Sequence, residues 1–203
     1  MIAIVDVCSG NLRSVERALE HVGAEVVVTR DPDVVRRADK IVVPGQGAFG
    51  VFMRELVARD LGHVLREAIE AGKPYLGICL GLQVLFEHSE EGDVAGLGLL
   101  RGRVVKFTPD PQHKVPHMGW NRVAQRPSSS GSPIAGLADG AYVYFVHSYH
   151  VVPSDPAIVA LEATHGVTFC AAIRSANLIA CQFHPEKSQL VGLGMLKAFV
   201  EAA

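Results

Sequence analysis

No apolar run in this chain of 203 residues approaches the length of a membrane span, and neither sign of charge dominates. With 19 Lys and Arg against 21 Asp and Glu, the formal net charge is −2, so the broad basic field that binds nucleic acid is absent. Cysteine is scarce. Cys8, Cys79, Cys170 and Cys181 show neither close pairs nor a metal-ligand spacing, which argues against a disulfide framework and against a zinc site. Met1 leads directly into Ile2-Ala3-Ile4-Val5 with no basic segment or cleavage site, so no signal peptide is expected and a cytoplasmic location is. No internal repeat and no tail are expected, and the loop at 125–133, with Ser128-Ser129-Ser130-Gly131, is too short to divide domains. One globular domain over 1–203 is the expectation, with small molecules or proteins as partners rather than nucleic acid or membrane.

What is present first is alternation. Strand patterns at Ile2 to Val7, Ala24 to Thr29, Lys40 to Val43 and Pro74 to Ile78 alternate with helical patterns. The first helix uses Leu12, Val15, Leu19 and Val22 and stops at Gly23; Asp31-Pro32 caps a short one into Ala38. Helical pattern fills much of Val51 to Ala71, and another helix is expected from Leu80 to about His88. Such alternation implies a parallel sheet covered by helices on both faces, with functional loops at the carboxyl ends of the strands. The second half is rich in β runs, at Arg103 to Phe107, Tyr142 to Val146, Ala157 to Glu162 and Thr168 to Ile173, read as antiparallel additions to that sheet. A final helix from about Ser188 buries Leu193, Leu196, Phe199 and Val200. Cys170 and Cys181 sit in apolar β runs as core filler.

Three elements at predicted strand ends carry chemistry. In Gly77-Ile78-Cys79-Leu80-Gly81 a cysteine stands where a strand turns sharply into a helix, a turn that needs glycines and leaves its central residue at the sheet edge. A sulfur near the positive end of a helix dipole is favoured as thiolate. In Cys181-Gln182-Phe183-His184-Pro185-Glu186 a β run ends at a histidine, proline stops it, and a carboxylate follows that can turn back to the imidazole. Lys40 to Val43 leads into Pro44-Gly45-Gln46-Gly47-Ala48-Phe49-Gly50, whose glycines let backbone N–H groups approach a substrate; with the amide of Leu80 it suits an oxyanion hole built from Gly45, Gln46, Gly47 and Leu80. No Gly-Lys-Ser/Thr follows, so it is not a phosphate loop.

Elbow, histidine and loop together resemble the class I, triad-type glutamine amidotransferases over essentially the whole chain. Within them the resemblance is to the glutaminase subunits of imidazole glycerol phosphate synthase. It rests further on Asp6 with Gly10-Asn11-Leu12-Arg13-Ser14, Pro116-His117-Met118-Gly119-Trp120, Phe145-Val146-His147-Ser148-Tyr149 and Lys187-Ser188-Gln189. The fold implied is α/β, a flavodoxin-like open sheet, mixed but mostly parallel, with helices on both faces and antiparallel β additions in the second half.

The resemblance implies a catalytic triad of Cys79, His184 and Glu186, no cofactor and no metal, L-glutamine as substrate, and a heterodimer with a (β/α)₈-barrel cyclase that consumes the ammonia in histidine biosynthesis. It also implies substrate contacts from Gln83, Glu91, His147, Ser148 and Tyr149, and a docking face with Asn11, Trp120 and Lys187. Blander readings stay open: Gln83 and Glu91 are what an exposed helix and its following loop contain, His147 or Tyr149 can merely support a wall, and Trp120, the only tryptophan, can be core. The alternatives for the whole chain are the glutaminase subunit of another amidotransferase, or a non-catalytic scaffold of the same fold. One departure stands out: Gln46 occupies a position where many triad amidotransferases carry a second glycine.

Overall fold

The computed structural model describes residues 1–8, 12–126 and 134–202. Through residue 83, strands and helices alternate: β1 (Ile2–Val5), α1 (Leu12–His21), β2 (Val26–Thr29), α2 (Pro32–Arg37), β3 (Lys40–Gly45), α3 (Phe49–Ala58), α4 (Leu61–Glu70), β4 (Tyr75–Cys79) and α5 (Leu80–Gln83). Local chemistry explains several boundaries. Asp31 accepts the N–H of Asp33 at 2.8 Å and Pro32 opens α2, a side-chain cap with a pre-set φ at the first helical position. The long helical pattern after Val51 divides because Asp60 takes a left-handed φ of 57° between α3 and α4.

Side chains of a strand alternate between faces, and here both sides are apolar, so both must be covered. Ile41 and Val43 of β3 join one core with Val35 of α2, Phe52 and Leu56 of α3, and Val64 and Leu65 of α4. Val42 joins the other, with Val15 and Leu19 of α1 and Leu196 and Phe199 of the last helix. Each fully buried Leu, Val or Phe contributes roughly 1.5–3 kcal/mol. Leu193 and Val200, expected in the core, are half-buried at its margin.

The second half contributes β5 (Phe86–Ser89), β6 (Val94–Ala95), β7 (Leu100–Lys106), β8 (His117–Arg122), β9 (Ala124–Gln125), β10 (Tyr142–His147), β11 (Tyr149–Pro153), β12 (Val159–His165), β13 (Val167–Ser175), β14 (Leu178–Cys181) and α6 (Gln189–Glu201). The main sheet runs β2-β1-β3-β4-β14-β13-β12-β9, parallel from β2 to β14 and antiparallel beyond. Two β additions therefore extend it as expected. Others do not: β11-β7-β5-β6 form a separate small sheet and β8-β10 a two-stranded ribbon. The helix expected from Leu80 to His88 is also corrected, since α5 ends at Gln83 and the chain enters β5. Every residue from Leu80 to Phe86 is buried, so no polar face exists to impose a helical period, and pairing of β5 with β7 decides the conformation.

Register positions the site. Gly45 lies opposite Cys79, and Cys181 opposite Ile78, so β3, β4 and β14 end at one sheet edge with His184 just beyond. Among the described residues no helix is long and apolar enough to cross a membrane.

Candidate active site

Cys79 ends β4 and begins α5 with φ 55° and ψ −104°, a conformation that costs a non-glycine residue on the order of 1–3 kcal/mol. Tight packing enforces it. A Cβ on Gly81 would stand 1.9 Å from the Val43 carbonyl oxygen, and one on Gly77 2.4 Å from that of Gly81, so neither position admits a side chain without backbone movement. The buried Tyr75 hydroxyl donates to the Gly81 carbonyl at 2.7 Å and braces the turn from below. Because α5 has four residues, its dipole is a smaller influence on the sulfur than a longer helix would give.

His184 is buried, and its Nδ1–H donates to Glu186 Oε1 at 2.8 Å, with the two side chains 2% and 1% exposed. That bond assigns the tautomer and leaves Nε2 without a hydrogen-bond partner among the described residues. Burial acts to lower the basicity of His184, but contacts with the Cys79 sulfur and with Glu186 together outweigh it and push the imidazole up to about 9. Ser188, fully buried, donates to the His184 carbonyl at 2.7 Å and accepts the Tyr144 N–H at 3.0 Å, locking the turn against β10.

A cavity of about 420 Å³ opens over Cys79, a size suited to a small-molecule ligand. Gln46, Gly47, Leu80, Gln83, Glu91, His147, Ser148, Tyr149 and His184 are among the residues that line it. Gly47 has φ +95°, a backbone state that glycine adopts freely. Gly45 instead borders a cavity of about 10 Å³ behind the histidine, with Cys8 and Glu186. Gln83 is 3% exposed, which removes the exposed-helix reading; its Nε2 donates to the Tyr149 carbonyl and to Gln182 Oε1, and its Oε1 is buried with no hydrogen-bond partner among the described residues. Glu91 lies in the β5–β6 turn, where Oε2 accepts the Phe49 N–H at 3.0 Å and so ties the first turn of α3 to the cavity wall.

Trp120 is 47% exposed on β8 rather than core, edge-on to the Tyr144 ring at 6.1 Å. Lys187 Nζ lies 5.8 Å from the same ring, which borders the cavity. Asn11 lies outside the described residues.

Two residues with a place in the site were not singled out by sequence, Gln182 and Tyr144; Ser188 was read only as part of the Lys187-Ser188-Gln189 run, without a role. Only Gln182 carried a signal, a long polar side chain at the end of an apolar β run.

Behind the wall, His147 Nδ1–H donates to the Tyr149 carbonyl at 2.8 Å and its Nε2 accepts from His117 Nδ1 at 2.9 Å. Burial holds His147 down to about 3 and His117 to about 4, so both are neutral near pH 7. Opposite pH dependences follow. His184 binds its proton more tightly folded than unfolded, so its contribution to stability is complete below about pH 6.5 and is lost as pH rises through about 9. His117 and His147 contribute above about pH 6.5 and lose that contribution as pH falls toward 4 and 3. Urea midpoints measured across pH are expected to fall on both sides of neutrality. Glu186→Gln should flatten the alkaline limb and leave the acid limb unchanged; an unchanged alkaline limb would separate His184 from that loss.

The chain matches the family model described as glutamine amidotransferase class-I over residues 3–202. It is 53% identical to "Imidazole glycerol phosphate synthase subunit HisH" of Syntrophotalea carbinolica, covering 98% of each chain, and 52% identical to the protein so named in Aromatoleum aromaticum, covering 100% of this chain and 98% of the relative. Among solved structures, a chain of PurLQS from Thermotoga maritima has a TM-score of 0.70 at 21% identity, covering 98% of this chain and 94% of that one. The glutaminase domain of a Trypanosoma brucei CTPS, with bound acivicin, has 0.68 at 17%, covering 100% and 94%; at such identities these two speak for the fold. With relatives this close over nearly its full length, the chain belongs to the class-I glutamine amidotransferases and, among them, to the HisH subunits of imidazole glycerol phosphate synthase.

Proposed function

We propose that this chain, as one glutaminase domain over 1–203, hydrolyses L-glutamine to glutamate and ammonia through Cys79, His184 and Glu186 and passes the ammonia to a (β/α)₈-barrel cyclase. The observation that carries the reading is a strained elbow cysteine and a carboxylate-held histidine on one wall of a cavity of amino-acid scale. Cys79, its proton passed to His184 Nε2, attacks the side-chain amide carbon of glutamine. The negative charge that forms on oxygen is met by the Leu80 N–H and the loop amides at Gln46 and Gly47. The C–N bond breaks as His184 returns a proton to nitrogen, and ammonia leaves with a γ-glutamyl thioester left on Cys79. Water, deprotonated by His184, attacks the thioester; the C–S bond breaks, glutamate departs and the thiol is restored. Glu186 holds Nδ1–H and stabilises the imidazolium throughout, in keeping with the raised basicity of His184. Gln83 Oε1, without a hydrogen-bond partner among the described residues, and the carboxylate of Glu91 suit the substrate's α-ammonium in the cavity that His147, Ser148 and Tyr149 also line.

Ammonia in neutral water is mostly ammonium, which has no lone pair to attack with, so a glutaminase serving synthesis needs a partner docked at its site. Met118 and Trp120 of β8 pair with Val146 and Tyr144, which line the cavity, and Tyr142 and Leu190 lie beside Trp120. These exposed apolar side chains, at 66%, 47%, 59% and 83% for Met118, Trp120, Tyr142 and Leu190, make a surface that suits burial in a heterodimer. Lys187 stands with Trp120 around Tyr144, which supports both as docking residues, and Asn11 belongs to the same proposal. A cytoplasmic setting is also part of it, in keeping with four unpaired thiols.

The test is a glutaminase assay with and without a barrel cyclase and its ribonucleotide ligand, expected to show hydrolysis that rises on docking. Lys187→Ala should weaken the coupling of glutamine use to cyclisation more than it weakens hydrolysis. Equal losses in both would put Lys187 in the glutaminase site instead.

A further inference from the structure

We infer that Gln182 is a positioning residue for the Cys79 sulfur, to which it donates a side-chain N–H while anchoring it to the wall of the substrate cavity. The inference rests on the proposed role of Cys79. Gln182 is fully buried just after β14, its backbone N–H held by the Ala171 carbonyl at 2.8 Å. The orientation of its amide is dictated by its neighbours. The Tyr149 carbonyl can only accept, and it takes the His147 Nδ1–H at 2.8 Å and a Gln83 Nε2–H at 3.1 Å. The second hydrogen of Gln83 Nε2 is directed at Gln182, 3.0 Å away, so Gln182 must present its oxygen there. Its Nε2 is thereby turned to Cys79, 3.5 Å from Sγ.

The far end of this chain of bonds is equally determined. His147 keeps its single proton at Nδ1, so its Nε2 accepts from His117 Nδ1, and His117 Nε2 accepts from Asn121 Nδ2 at 3.2 Å. A buried amide costs stability unless its hydrogen bonds are made, and this one spends a donor on sulfur. That donor does little for a neutral thiol and much more for a thiolate, because hydrogen bonds to charged groups are the stronger ones. The other titratable groups around the sulfur are His184, with Glu186 behind it, and Cys181, which burial keeps protonated and which donates to the Phe183 carbonyl at 3.4 Å. Gln182 therefore favours the attacking form and fixes where it points, without touching glutamine.

Two variants separate this role from simple packing. Gln182→Met keeps the length but cannot donate; Gln182→Glu keeps an acceptor for Gln83 and loses the donor to the sulfur once its carboxyl is ionised. Iodoacetamide labelling of the Cys79 peptide, followed by mass spectrometry in the full chain, should slow by about 10- to 100-fold in the Met variant, and in the Glu variant over the pH range where its carboxyl is ionised, the size of one hydrogen bond to a charged group. The pH profile of labelling should move upward in the Met variant, and kcat for glutamine should fall with little change in KM. Unaltered labelling and profile in the Met variant would overturn the inference. Should neither variant fold, the wild-type chain decides: the Gln182 side-chain amide resonance should titrate with the His184 ring and move when Cys79 is alkylated, and a resonance that does neither overturns it. Alkylation reads the thiol whether or not Cys79 turns glutamine over, so glutamine hydrolysis by a Cys79→Ala variant would count against the triad, not against Gln182.

Discussion

Cys79→Ala is expected to abolish glutamine hydrolysis, with a loss on the order of 10⁴-fold or more, because nucleophile and base act as a unit and the remaining groups stabilise only charge. Fold and cyclase binding should persist. The substitution removes one buried atom, and the cysteine is only 7% exposed. Ammonium salts at raised pH should still support cyclisation by the complex, since only the ammonia source is lost. The elbow strain makes a companion forecast. Cys79→Gly should be at least as stable as Cys79→Ala, because glycine adopts φ 55°, ψ −104° freely whereas alanine keeps the strain. Urea denaturation of the two variants checks the order, and substantial hydrolysis by a clean alanine variant would defeat the triad.

The free chain is expected to bind glutamine yet hydrolyse it about 10²- to 10³-fold more slowly than the complex with a liganded cyclase, the usual size of one missing oxyanion donor. The loop is pinned at both ends. Gly45 is paired opposite Cys79 within the sheet, and the Phe49 N–H is held by Glu91, which leaves 46–48 to choose a conformation. Gln46 makes that choice stiffer than a second glycine would, while Gly47, at φ +95°, leaves one peptide easy to turn. If the resting loop aims an N–H away from the nascent oxyanion, docking restores it by binding the active loop more tightly, by about 2.7–4 kcal/mol. Steady-state kinetics of free chain and liganded complex, repeated with Gln46→Gly, measure this. Equal rates for the free wild-type chain and the complex would make Gln46 a pocket residue only.

The parts of this fold that were legible in sequence are those dictated by local chemistry. Alternation through residue 79, the Asp31-Pro32 cap and the Gly77-Cys79-Gly81 elbow each follow from short-range sterics or hydrogen bonding, and each is present. The end of α5 was not legible, since a run buried on every side carries no period. Nor was the division of the later β runs among three sheets, because β5, β7 and β11 choose partners through contacts far apart in the chain. The site divides in the same way. Cys79, His184 and Glu186 announce themselves by their backbone surroundings, whereas Gln182 gains its meaning from Gln83, 99 positions away, and Tyr144 from Trp120 and Lys187. Gln83 itself was readable as a pocket residue, but not the partnerless oxygen that distinguishes it from a structural amide.

The central claim is that glutamine is cleaved through a covalent intermediate on Cys79. Rapid acid quenching of the complex during turnover, followed by peptide mass spectrometry, reads it directly. A γ-glutamyl group on the peptide containing Cys79, present while glutamine lasts and absent from Cys79→Ala, is the predicted result. Glutamate formed at full rate with no acyl group on Cys79, or with the group on another residue, would contradict it.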